Sequence, residues 1–300
     1  MSQDPERSGI LLVDKPGGLT SHDVVSRVRR LAATRKVGHA GTLDPMATGL
    51  LILGVGSSTR LLTFLVGLDK EYLATIRLGA STPTDDAEST ADRVAPAAAI
   101  AAIADEDLVG GIATLSGTIQ QVPSAVSAIK VDGKRAYARV RAGEQVELKA
   151  REVLISEFVL LETRRGEFLD LDVRVACSSG TYIRALARDL GSALGVGGHL
   201  VALRRTRIGP FDLSRAATLG DLDAPPHLLD PAVVASTLFP SLVLSAQQAT
   251  DLAHGKRLAG LAIDGGPVAA ITEDGRLAGL VEVTGGTARP IVNFPKDEVS

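Results

Sequence analysis

The stretch "GHAGTLDPMATGLLILGVG", residues 38–56, holds a single carboxylate, Asp44, between Leu43 and Pro45, with the apolar run Leu50–Leu53 directly behind it. An acid before a proline suits a turn, because a short polar side chain there bonds its own backbone. It also raises the question of what a single acid set in such a segment would act on. Other reactive groups are easier to set aside. The five histidines, His22, His39, His199, His227 and His254, are scattered with no HxxxH spacing, and Cys177 is the only cysteine. That spacing argues against a structural zinc or a metallohydrolase. "GVG" at 54–56 and "GVGG" at 195–198 are fragments of no dinucleotide fingerprint, and no Gly-rich loop leads into GK[ST]. Ser127 and Lys130 match SxxK, but the companion motifs of that acyl-enzyme family are missing.

The elements that must position Asp44 follow from pattern. "ILLV" at 10–13 reads as a buried strand. Thr20 or Ser21 caps a helix with Asp23 in its first turn, and Val24, Val28 and Leu31 share one face. "KEYLATIRLG" at 70–79 reads as a strand with Tyr72, Ala74, Ile76 and Leu78 on one side. "LDLDVRVAC" at 169–177 alternates, and a helix with Ile183, Leu186, Leu190 and Leu194 in a stripe follows, Arg184 and Arg188 lying on another face. Residues 81–107 read as an acidic loop followed by a surface helix. Prolines 225, 226, 231 and 240 suggest a boundary, and Asp274-Gly275 a hairpin turn in a small all-β domain.

Composition sets the class. Three hundred residues, 45% apolar and 22% charged, describe a globular protein of one or two domains. A net charge of −3 leaves any nucleic-acid contact to local basic groups: Arg27–Lys36, Lys130–Arg141, and Arg204, Arg205 and Arg207. One cysteine, no signal-peptide pattern and no run of about 18 apolar residues predict a cytoplasmic protein without membrane spans.

Six blocks occur in order: "DKPGGLTSHD", "GHAGTLDPMATGLL", "KEYLATIRLG", "QQVPSAVSAIKVDGKRAY", "CSSGTYIRALARDLG" and "GGHLVALRRTRIG". Together they resemble the bacterial tRNA pseudouridine synthase B family over about residues 10–215, with a weaker likeness to a PUA-type RNA-binding domain at the C-terminus. Two segments depart from the family: "PSAV" at 123–126 is less aromatic, and the region 85–107 is alanine-rich.

The resemblance implies an α+β fold with a central mixed, largely antiparallel sheet flanked by helices, spanning 8–220. A linker at 221–244 and a PUA-like β domain at 245–297 would follow. It implies isomerisation of uridine 55 in the T-arm loop of tRNA, by a chain acting as a monomer. No guide RNA, membrane, metal or cofactor is expected, since the base is detached, rotated and rejoined without redox change. By the same resemblance Asp44 is the catalytic carboxylate, and attack at C1′, attack at the base and abstraction of a sugar proton all stay open for it. Arg184 would keep it ionised, since a guanidinium within about 4–6 Å counteracts burial. Asp86 matches an acid of the same polar network. Tyr72 would stack on the extracted base and handle a proton. Tyr182 and Leu203 would pack around the target nucleotide, and His39 would fill the space that the flipped base vacates. Lys15 would meet phosphate or support the cleft. The rival readings are a non-catalytic RNA-binding module and a guide-dependent isomerase.

Overall fold

The computed structural model describes residues 8–124, 130–131, 134–135, 148–222 and 226–294. The chain forms two compact units: Met1–Pro45 with Gly49–Val66 and Pro210–Ser300, and Met46–Thr48 with Gly67–Gly209.

In the first unit the expected strand runs over Gly9–Lys15. It pairs antiparallel with Thr48–Val55, from Gly9 against Val55 to Lys15 against Gly49, and parallel with Ala217–Thr218. Val37–His39 lines the other edge of Thr48–Val55. The helix Ser21–Leu31 starts at Thr20, whose hydroxyl accepts from the Asp23 amide while the Asp23 carboxylate accepts from the Thr20 amide. This reciprocal cap stabilises a helix start by about 1 kcal/mol per cap residue. Val24, Val25 and Val28 face inward onto Leu11, Val13, Leu51 and Leu53, each worth roughly 1.5–3 kcal/mol of burial.

The same unit holds a four-stranded sheet in the order Ser241–Leu244, Gly265–Thr272, Leu277–Thr284 and Thr287–Asn293. The turn at Asp274-Gly275 joins its central hairpin as expected, with Gly275 at φ 85°, a conformation that favours glycine. This region is not all-β: the helix Ala246–Ala253, capped reciprocally by Ser245 and Gln248, packs Leu252 into the sheet's core. Described residues of the stretch read as a linker carry regular structure as well. Asp230 caps the helix Pro231–Leu238, and Leu229 exchanges two backbone hydrogen bonds with Ile10. The proline at 231 opens a helix, where its missing N–H has no cost.

The second unit is built on five antiparallel strands in the order Gly198–Ile208, Lys70–Leu78, Leu169–Cys177, Arg151–Arg165 and Gly117–Gln121. Lys70–Leu78 buries alternate residues Lys70, Tyr72, Ala74, Ile76 and Leu78, the period of two that a half-buried strand demands. The helix Ile183–Ala193 lays Ile183, Leu186 and Leu190 inward. At its far end a Cβ on Gly191 would meet the Gly197 carbonyl carbon at 2.2 Å, so only glycine permits this close approach to the Gly198–Ile208 strand. The acidic stretch after residue 81 carries two short helices, Ala97–Ala101 and Asp105–Thr114, which bury Ile100, Leu108 and Ile112. The fold class is α+β, with a mixed sheet and helices, as the sequence suggests. Among the described residues no helix is long and apolar enough to cross a membrane.

Candidate active site

Asp44 lies half-buried in a loop that is fixed through its two neighbours. The buried Ser21 hydroxyl accepts from the Leu43 amide at 2.9 Å and donates to the Leu43 carbonyl at 3.1 Å. The Pro45 carbonyl accepts from the Gly18 amide at 2.8 Å and from Lys15 Nζ at 3.3 Å. Lys15 also donates to the carbonyls of Leu19 at 2.7 Å and Pro16 at 3.0 Å. Lys15 is fully buried. His39 is half-buried on the Val37–His39 strand, opposite Leu53.

In the second unit Arg184 and Asp86 come together. Arg184 is 5% exposed and Asp86 1%, and Nη1 of Arg184 lies 3.4 Å from Oδ2 of Asp86 and donates to the Thr84 carbonyl at 2.8 Å. The other Asp86 oxygen accepts from the Thr84 hydroxyl at 2.5 Å and the Glu88 amide at 3.0 Å. Asp86 therefore orients the guanidinium while its own lone pairs are filled, as a buried ion pair requires. The next helical turn adds Arg188, which reaches Asp85 Oδ2 at 3.2 Å and the Val122 carbonyl at 2.8 Å. Asp85 adopts φ 59°, and burial pushes its carboxyl up while Arg188 pulls it down.

Tyr72 is buried on the Lys70–Leu78 strand, opposite Val175 on one side and Arg205 on the other. Leu203 is buried opposite Ala74. Tyr182 precedes the Arg184 helix, and its backbone is clamped by Gln121, whose side chain donates to the Tyr182 carbonyl at 3.1 Å and accepts from its amide at 2.8 Å. One basic group expected at an RNA surface is revised: Arg205 is 1% exposed and faces the interior. The alternation from Leu203 to Arg205 in "LRRTR" was the signal that both lie on one face. The side chains of the Lys130–Arg141 group lie outside the described residues.

Sequence reasoning missed Ser21, Gln121 and the buried Lys70. Desolvation lowers the Lys70 ammonium to about 8, helped by the nearby Arg205 charge. Burial likewise raises the Cys177 thiol to about 11. Among the described residues no three His, Cys, Asp or Glu side chains converge as metal ligands.

The TruB family pseudouridylate synthase N-terminal domain matches residues 29–183. The tRNA pseudouridylate synthase B C-terminal domain matches 184–240, and the tRNA pseudouridine synthase II C-terminal domain matches 239–295. A tRNA pseudouridine synthase B of Leifsonia xyli is 63% identical over 297 residues, covering 98% of each chain. Its namesake in Thermobifida fusca is 54% identical, covering 95% of this chain and 98% of its own. Among solved structures, a Cbf5-Nop10-Gar1 complex matches with TM-score 0.70 and 25% identity, over 97% of this chain and 85% of the other. An H/ACA RNP bound to a substrate RNA containing 2'-deoxyuridine matches with TM-score 0.69 and 23% identity, over 100% and 93%, which shows the fold. With matches running from residue 29 to 295 and relatives above half identity over nearly the full length, the chain belongs to the TruB family of pseudouridylate synthases.

Proposed function

We propose that the chain converts uridine 55 in the T-arm loop of tRNA to pseudouridine, acting as a monomer in the cytoplasm without a guide RNA. The observation that carries this reading is the 63% identity across 98% of both chains to a tRNA pseudouridine synthase B. The N1–C1′ bond breaks and C5–C1′ forms, while the C5 proton is released and N1 gains one. Asp44 supplies the carboxylate that labilises the glycosidic bond. Arg184, oriented by Asp86, supplies the countercharge. Tyr72 offers a flat face to the extracted uracil, and stacking of this kind is worth roughly 1–3 kcal/mol per base. Tyr182 and Leu203 pack around the nucleotide and His39 fills the gap it leaves. Lys15 holds the Asp44 loop. Residues 245–297 bind a more distant part of the tRNA.

Nucleoside chromatography of tRNA incubated with purified protein alone tests this directly. Pseudouridine should form at position 55 and vanish with tRNA carrying cytidine there. Product formed only after a guide RNA is added would favour the guide-dependent reading. Activity on pre-folded tRNA should also survive EDTA.

A further inference from the structure

Arg151 opens the Arg151–Arg165 strand, opposite Gln121, and its guanidinium lies over the Tyr182 ring at 4.7 Å from the centroid. Stacking fixes the plane of the guanidinium. Gln121 in turn clamps the Tyr182 backbone, so ring and cation are held as a unit. Nε and Nη2 of Arg151 are both shut off from solvent, and neither has a hydrogen-bond partner among the described residues. These two atoms form the edge of the guanidinium that grips two oxygens side by side. Arg77 uses the same edge on Asp170, with Nε to Oδ1 and Nη2 to Oδ2 both at 2.8 Å. Arg29 and Arg276 each leave only Nε buried without a partner, so among the described residues Arg151 alone has a whole bidentate edge that is both buried and idle. Buried donors without acceptors are costly, and an acceptor that arrives with a ligand recovers that cost on binding.

We infer that Arg151 is a further substrate-positioning residue, whose Nε–Nη2 edge takes two oxygens of an RNA backbone phosphate beside the nucleotide packed by Tyr182. The inference rests on the reading of the chain as a tRNA-modifying enzyme. A phosphate is the group on such a substrate that presents two anionic oxygens at the spacing of this edge.

The test compares the full-length parent with Arg151→Gln and Arg151→Lys, each checked by thermal melting, in equilibrium binding to unmodified tRNA across a salt series. Arg151→Gln should weaken binding about tenfold or more. It should also lower the slope of log affinity against log salt by about 0.7–0.9, the share of one phosphate contact. Arg151→Lys keeps the charge and should restore the slope, but not the full affinity, because an ammonium lacks the fork. Single-turnover rates at saturating tRNA should stay within a few-fold of the parent. Parental affinity and slope in Arg151→Gln would overturn the proposal and leave Arg151 as a platform for the Tyr182 ring. So would a rate loss at unchanged affinity in a well-folded Arg151→Lys. If the parent binds tRNA but makes no pseudouridine, the functional reading falls while the salt comparison still decides the role of Arg151.

Discussion

The Asp44 loop and the Arg184 corner each bury a cation, by opposite means. Around Asp44 the Lys15 ammonium is spread over three backbone carbonyls, and the loop is held through the backbone of residues 43 and 45. At Arg184 the guanidinium is held by a carboxylate and one carbonyl, and the carboxylate by a hydroxyl and an amide. Backbone anchoring fixes where the chain runs. Side-chain anchoring fixes one functional group and makes its neighbours indispensable. If Asp44 acts as proposed, its substitution should damage activity and spare the fold in the first region, whereas in the second a single neutralisation should damage both.

The largest effect is expected at Asp44. Asp44→Asn should abolish pseudouridine formation yet leave tRNA affinity within a few-fold and the melting temperature near that of the parent, because phosphate contacts dominate binding. Turnover by a variant free of parental protein would remove Asp44 from its role. Next comes Asp86→Asn, which removes the carboxylate charge from the buried pair with Arg184. Chemical denaturation should show a loss of about 3–5 kcal/mol, together with slowed catalysis; an unchanged midpoint would erase the contrast between the two regions. Tyr72→Phe keeps the flat face and removes the hydroxyl. If that hydroxyl moves a proton, single-turnover rates should fall about 10²-fold with normal binding, and full turnover would leave stacking as its only part.

Ser21→Ala removes both hydrogen bonds to Leu43 and should cost about 1–3 kcal/mol of stability. Turnover should also fall, as the Asp44 loop loosens; a loss of stability with parental turnover would show that the loop is held well enough by Gly18 and Lys15. The smallest effect is a pH dependence. The folded value of Lys70, about 8, lies below its ordinary 10.5, so the folded chain sheds this proton first. Stability should rise as pH climbs through 8, until the Cys177 thiol, raised from 9.0 to about 11, offsets the rise by ionising first in the unfolded chain. Melting curves of Lys70→Met between pH 7 and 9 should lack that rise, and curves parallel to the parent would contradict the assignment.

Much of this was legible in the sequence because local pattern and local structure coincide. The strand at Leu169–Cys177 has the bounds its alternation gives, and Thr20 and Asp23 make the cap their spacing suggests. Charged residues were the failures. Arg205 counted as surface, though its spacing from Leu203 put it on a buried face, because charge normally predicts exposure. That Asp86 joins Arg184 was reached only through the resemblance, since the pairing depends on a turn closing between residues 82 and 86, which no periodicity reports. Ser21 lies 22 positions before Leu43, and side chain-to-backbone contacts over that distance leave no trace in spacing. The helix Ala246–Ala253 was hidden behind the stronger hairpin signal that follows it, although Ser245 and Gln248 carry the capping pattern.

The glycine contact at the end of the Arg184 helix has a mechanical consequence. At a rise of 1.5 Å per residue, Gly191 lies about 10 Å along the axis from Arg184. The helix is thus pinned at one end by backbone contact and presents its guanidinium at the other, like a lever on a fixed pivot. A methyl group at 191, forced against a carbonyl carbon only 2.2 Å away, must swing or shift the whole helix. A shift of about 1 Å is of the order that disrupts a positioned catalytic group, and it would leave every residue of the site in place by name.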